Sequence, residues 1–125
     1  MKKALIVDDE AKIRNVYRQL LTLELFEVLE AENGEQAGIL LIQHTDIDLI
    51  LLDIHMPVVN GAVLFDLIKL NNPNAKVVIT SVYPIEDQRR LIYKADSYHD
   101  KAEGIDVLLL KIRNALNENG LNQRR

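Results

Sequence analysis

The sequence contains no cysteine, only three prolines and five glycines among 125 residues, and its 15 lysines and arginines are outnumbered by 19 aspartates and glutamates. Without cysteine there can be no disulfide, thiolate metal site or cysteine nucleophile, which fits a reducing compartment. A formal charge of −4 supplies no basic field for a phosphate backbone, so direct nucleic-acid binding is not expected. Long apolar runs are also missing. Ala4-Leu5-Ile6-Val7 stops at Asp8-Asp9, too soon for a signal-peptide core, and no stretch reaches the length of a membrane span. The chain reads as cytoplasmic.

What is present describes one ordinary globular domain: 48% hydrophobic and 27% charged residues. Surface scaling for 14.3 kDa lets about two-thirds of the extended chain's surface be buried, enough for a core without staples. No linker, internal repeat or low-complexity tract interrupts the sequence, so a single domain over residues 1–125 is expected.

Three short apolar runs end in polar residues: 4–7 before Asp8-Asp9, 49–52 before Asp53, and Val77-Val78-Ile79 before Thr80-Ser81. Strands buried on both faces have this form. Between them lie segments of helical spacing, including Ile13, Val16, Tyr17 and Leu20, and Ile105, Leu108, Leu109, Ile112 and Leu116. A loose alternation over 26–31 predicts a second strand. Asn33, three residues before Gln36, predicts a helix starting near Gly34. Asn60-Gly61 opens another helix, which Asn71-Asn72-Pro73-Asn74 ends. A fifth strand is expected over 97–101, where Tyr98-His99-Asp100 is too polar for burial on both faces and suits a sheet edge. Strict βα alternation predicts a parallel sheet with helices on both faces.

In such a sheet the ligand crevice lies at the carboxyl ends of the strands. The strand-closing residues are Asp8, Asp9, Asp53, Thr80 and Lys101. Singly, each has an ordinary explanation, such as the N-cap of the following helix for Asp8-Asp9. Together they bring three carboxylates to one place. Two carboxylates about 4 Å apart repel by roughly 4 kcal/mol at an effective dielectric near 20, and a hard divalent cation relieves that. An all-oxygen ligand set favours Mg2+, and one carboxylate could then attack phosphorus while Lys101 neutralises charge on the transferring group.

These residues resemble a bacterial two-component response regulator receiver domain over essentially the whole chain. The segments that carry the likeness are Leu5-Ile6-Val7-Asp8-Asp9-Glu10, Leu51-Leu52-Asp53-Ile54-His55-Met56-Pro57-Val58-Val59-Asn60-Gly61, Val78-Ile79-Thr80-Ser81, and Ala95-Asp96-Ser97-Tyr98-His99-Asp100-Lys101. The resemblance implies a doubly wound, flavodoxin-like sheet in the order 2-1-3-4-5. It implies Asp53 as phosphoacceptor, Asp8, Asp9, Asp53 and the His55 backbone carbonyl as Mg2+ ligands, and Thr80 and Lys101 as phosphoryl partners. Thr80 and Tyr98 would form the switch, with output through the face of the fourth helix, fifth strand and fifth helix. The chain would catalyse its own Mg2+-dependent phosphorylation and dephosphorylation without being a turnover enzyme. Expected partners are a sensor histidine kinase or histidine phosphotransfer protein and a downstream protein target, with no nucleic acid or membrane. A phosphorylation-dependent homodimer is a further form the resemblance allows. A length of 125 residues leaves room for the receiver and no output domain.

The sequence departs from the family pattern at several positions. Ala102 and Glu103 replace a proline and a hydrophobic residue after the lysine, Lys94 stands where glycine is common, and the fourth helix runs short. The family's Lys-Pro bond is cis, whereas a cis bond before a non-proline residue costs about 3 kcal/mol, so Lys101-Ala102 is expected to be trans or strained. Three alternatives remain. The chain could be a phosphorelay intermediate, a phosphate-independent pseudo-receiver, or an aspartyl-nucleophile phosphatase of the haloacid-dehalogenase type. The last needs a second acid two residues after the nucleophile, where His55 stands.

Overall fold

The structure is a computed structural model that describes residues 1–54 and 61–123, with side chains through residue 117. The apolar runs form β1 (Lys3–Val7), β3 (Leu49–Asp53) and β4 (Lys76–Ser81), which occupy the middle of the sheet and are almost wholly buried. The more polar runs form the two edges, β2 (Glu27–Ala31) and β5 (Ser97–Asp100). All pairings are parallel, in the order β2-β1-β3-β4-β5, which is the expected flavodoxin-like topology.

Side chains alternate across each strand, so the sheet carries two cores. Ala4, Ile6, Leu49, Leu51 and Val78 pack against Tyr17 and Leu21 of α1 (Ala11–Leu23) and Leu108 and Ile112 of α5 (Ile105–Gln123). Leu5, Val7, Ile50, Leu52, Val77 and Ile79 face the other way. They meet Ala37 and Leu41 of α2 (Gly34–Gln43), Leu64 and Ile68 of α3 (Gly61–Asn71), and Ile92 after α4 (Ile85–Leu91). Asn72, just after α3, ties that end of the helix to α2 and to the segment before β3: its Oδ1 accepts from the Ile47 amide at 3.1 Å and its Nδ2 donates to the Leu41 carbonyl at 3.1 Å.

Several boundaries differ from the sequence reading. Val16, expected in the apolar stripe of the first helix, is exposed, because the buried stripe is narrower than the run of aliphatic residues. Strand β2 starts at Glu27, since Phe26 turns into the α1/α5 core. Strand β5 stops at Asp100, and Lys101 begins a short 3-10 helix over Lys101–Glu103. Strand β5 is an edge, as expected, yet Tyr98 and His99 are 7% and 2% exposed. Helices α4 and α5 both pack on it, so the edge is covered despite its polarity. Among the described residues no helix is long and apolar enough to cross a membrane.

Candidate functional site

The strand-closing residues meet at the carboxyl end of the sheet. Ile6, Leu51 and Val78 all point toward the α1/α5 layer, and the period of two places Asp8, Asp53 and Thr80 on that same side. All three are buried. Asp53 and Thr80 are Cα partners in the β3/β4 ladder. Lys101 enters from beyond β5, and its Nζ donates to Asp8 Oδ2 at 2.8 Å and to Asp53 Oδ2 at 3.3 Å. One ammonium thus bridges two buried carboxylates and leaves the group one negative charge in excess.

Burial works against the Lys101 charge, but the hydrogen bond to Asp8 and the charges of Asp53 and Asp8 outweigh it and raise its pKa above the usual lysine value. Asp8 is fixed from three sides. Its amide donates to the Ala31 carbonyl at 3.1 Å, its Oδ1 accepts from the Glu10 amide at 2.9 Å, and its carbonyl accepts from Arg14 Nη1 at 2.8 Å. The Asp8-Asp9 pair does not cap α1; Glu10 holds that position without a side-chain cap bond. The acids are therefore left for another purpose. Carboxylate oxygens of Asp8, Asp9 and Glu10 lie within 4.8 Å of one another, with Asp9 and Glu10 exposed. This all-oxygen set suits Mg2+ or Ca2+. A cleft of about 90 Å³ lined by Asp9, Glu10, Asp53, Val82 and Lys101 opens beside it. The expected ligand at His55 lies outside the described residues.

The departures at 102 and 103 become intelligible in the loop that carries Lys101. The Ala102 amide, a donor that proline would lack, donates to Asp100 Oδ1 at 2.9 Å. Glu103 Oε1 accepts from the Asp100 amide at 3.2 Å and from Lys111 Nζ at 3.0 Å. This reciprocal capping box holds the turn with trans peptide bonds throughout the described residues, and Gly104 supplies the φ of +89° that lets the chain leave it.

Of the sequence-predicted residues, Asp8, Asp9, Asp53, Thr80 and Lys101 are brought together. Tyr98 is not: its ring lies in the core on the opposite face of the sheet, where the hydroxyl donates to the Ile92 carbonyl and accepts from the Ala95 amide at 3.2 Å. Two residues at the site escaped the sequence reading. Glu10 was only the end of a motif. Tyr17 was counted as an apolar stripe residue, and the signal missed was a hydroxyl on the sheet-facing side of the helix that follows Asp8-Asp9.

The sequence profile of the response regulator receiver domain matches residues 4–113. The chain belongs to the response regulator receiver domain family. It is thus a receiver of two-component signalling with the flavodoxin-like fold. It is 33% identical to the response regulator TrrA of Thermotoga maritima, solved in complex with Mg2+ and BeF. That match has a TM-score of 0.82 and covers 93% of this chain and 100% of that one. TrrA has also been solved in complex with the histidine kinase ThkA, with a TM-score of 0.80, 33% identity, and coverage of 93% and 99%. A receiver domain protein from Methanospirillum hungatei gives a TM-score of 0.85 at 28% identity, covering 98% of each chain.

Among curated proteins, the chain is 34% identical over 117 residues to a cyclic di-GMP phosphodiesterase of Thermotoga maritima, covering 90% of this chain and 30% of that protein. It is 39% identical over 80 residues to the nitrate/nitrite response regulator protein NarL of Escherichia coli, covering 62% and 37%. The chain therefore spans less than two-fifths of the length of either relative.

Proposed function

We propose that this receiver is a phosphoacceptor switch in which Asp53 takes a phosphoryl group from a phosphohistidine of a sensor histidine kinase. The observation that carries this reading is the bridge from Lys101 Nζ to Asp8 and Asp53 beside an acid-lined cleft. An Asp53 carboxylate oxygen attacks phosphorus, the O–P bond forms, the N–P bond breaks, and its electron pair returns to the imidazole. Asp8 and Asp9, with Asp53 itself and the His55 carbonyl, would hold Mg2+, which when bound offsets negative charge on the phosphoryl oxygens.

Lys101 is already charged and aimed at Asp53, so it can exchange its carboxylate contact for a phosphoryl oxygen with little reorganisation. Thr80, directly across the ladder from Asp53, can donate its hydroxyl proton to the same group. The phosphoryl brings about two negative charges and strong acceptors, enough to bias the chain beyond β4 and the Tyr98 region toward a changed partner surface. The proposed setting is the cytoplasm, with a kinase upstream and a protein target downstream.

The TrrA–ThkA complex supports a kinase as the donor, since it concerns a relative one-third identical to this chain. The intact Lys101 bridge weighs against a phosphate-independent role. Incubation with acetyl phosphate and Mg2+ should add one phosphoryl mass on Asp53, and Asp53→Asn should abolish it. Equal labelling of the variant, or none of the parent chain, would reject the reading.

A further inference from the structure

Arg14 closes the first turn of α1, its amide donating to the Glu10 carbonyl at 3.0 Å. That turn carries no acidic residue, and a cation this close to the positive end of a helix works against its dipole. Helix stability therefore does not call for an arginine here. The side chain is nonetheless only 15% exposed, drawn in between the loop after β1 and the edge strand β2. Its Nη1 donates to the Asp8 carbonyl at 2.8 Å and its Nε to Glu30 Oε1 at 3.2 Å, while Nη2 stands 4.0 Å from Glu32 Oε2. Arg18, one turn further along, also pairs with Glu30, but its other contact is the Val28 carbonyl at 3.5 Å, away from the acids.

We propose that Arg14 is a positioning residue for the cation site: anchored on Glu30, its guanidinium locks the Asp8–Asp9 peptide and so presents Asp9, together with Asp8, to Mg2+. The Asp8 carbonyl belongs to the planar unit that joins the two acids. Fixing that carbonyl fixes the direction in which Asp9 leaves the chain. The Asp8 carboxylate has holders of its own in the Glu10 amide and Lys101. Asp9 is exposed, and its carboxylate takes its place from the backbone beneath it. A planar fork of five donors can meet a carbonyl and a carboxylate at once, which the single ammonium of a lysine cannot. The facing carboxylates of Glu30 and Glu32 also offset a positive charge that would otherwise oppose a cation nearby.

The inference rests on the reading of Asp8 and Asp9 as Mg2+ ligands given above, and its test keeps the two apart. The parent chain, Arg14→Lys and Arg18→Lys are titrated calorimetrically with MgCl2 at fixed ionic strength. Thermal unfolding and backbone nitrogen relaxation of the metal-free chains are measured in parallel. Each variant keeps its positive charge and loses one guanidinium on Glu30, so the two should lose similar stability. Arg14→Lys alone should bind Mg2+ more weakly, by about three- to tenfold, the range expected for one net hydrogen bond, and its Asp9 amide should be less ordered than in the parent. Arg18→Lys should bind Mg2+ as the parent does. Unchanged affinity in Arg14→Lys, an equal loss in both variants, or an Asp9 amide as ordered as in the parent overturns the role given to Arg14. A parent chain that binds no Mg2+ overturns the cation site and this inference with it.

Discussion

Lys101 Nζ and Asp8 Oδ2 lie 2.8 Å apart across 93 residues of sequence, with Asp8 buried and the Lys101 side chain 10% exposed. Removing the ammonium takes from two buried carboxylates the cation that bridges them. Lys101→Met should therefore lower the unfolding free energy by about 3 kcal/mol at neutral pH in urea titrations. Asp53→Asn should cost little or stabilise, because a balanced Asp8–Lys101 pair remains. The raised pKa of Lys101 sets the pH window: its stabilising contribution is fully present below the ordinary value of 10.5 and is lost as pH rises through the higher folded value.

The excess negative charge at the site predicts a stability response to cation. Mg2+ at about 100 times its dissociation constant should stabilise the fold by about 2.7 kcal/mol. A rise in unfolding temperature with MgCl2, compared with KCl at matched ionic strength, would register it. Asp9→Asn should remove most of the rise, and an equal response in both proteins would count against Asp9 as a ligand.

The turn after β5 does the work of the missing proline, so its cap can be removed without touching the site. Asp100→Ala should cost about 1 kcal/mol and slow labelling by acetyl phosphate, as Lys101 loses its fixed approach. Asp100→Asn keeps the accepting oxygen and should retain most of both. A full labelling rate in the alanine variant would show that the capping box does not position Lys101.

Gly61 begins α3 against Ile54, the residue that follows β3. A Cβ at this position would stand 2.6 Å from Ile54 Cγ2 and 2.8 Å from Ile54 Cα, and backbone cannot yield as a flexible side chain can. Gly61→Ala should destabilise by about 1–3 kcal/mol, measured by chemical denaturation. A neutral result would mean that the start of α3 moves freely relative to β3.

His99 provides an acid-sensitive element apart from the carboxylates. Burial, then the charge of Lys111, depresses its pKa below 6.5, with Lys101 adding to the effect and Glu103 and Asp100 opposing it. Its Nδ1 has no hydrogen-bond partner among the described residues and lies 3.8 Å from Glu103 Oε1. The unfolded chain takes up a proton near 6.5 and the folded chain resists it, so this contribution to stability is present above that pH and is lost as pH falls. The slope cannot exceed about 1.4 kcal/mol per pH unit for one proton. In His99→Gln, stability between pH 6.5 and the carboxylate range should vary less; an identical profile would acquit the histidine.

Sequence pattern alone was enough to place β1, β3 and β4, since runs such as Leu49-Ile50-Leu51-Leu52 can be satisfied only between two helical layers. The five site residues were legible because each lies at or just beyond the carboxyl end of a strand, and a parallel sheet gathers such residues at one end. Side-chain depth was harder to read. Val16 and Tyr17 are neighbours in one apolar stripe, and only the packed orientation of α1 leaves the valine in solvent and puts the tyrosine under the acids. The burial of His99 was likewise illegible, because it depends on two helices closing over a short polar strand. The replacement of the family proline at Ala102 could be noticed in sequence, but not that Asp100 and Glu103 compensate for it.

The direct register between Asp53 and Thr80 has a mechanical consequence. Two residues paired in a hydrogen-bonded ladder cannot approach one another by backbone translation without tearing the ladder. On the proposed reading, a phosphoryl group on Asp53 would have to act by torsion: rotation of the Thr80 hydroxyl, and displacement of the chain only beyond Ser81, the last β4 residue and the partner of Asp100 in β5. The sheet serves as the fixed pivot, and whatever moves is hinged at its rim.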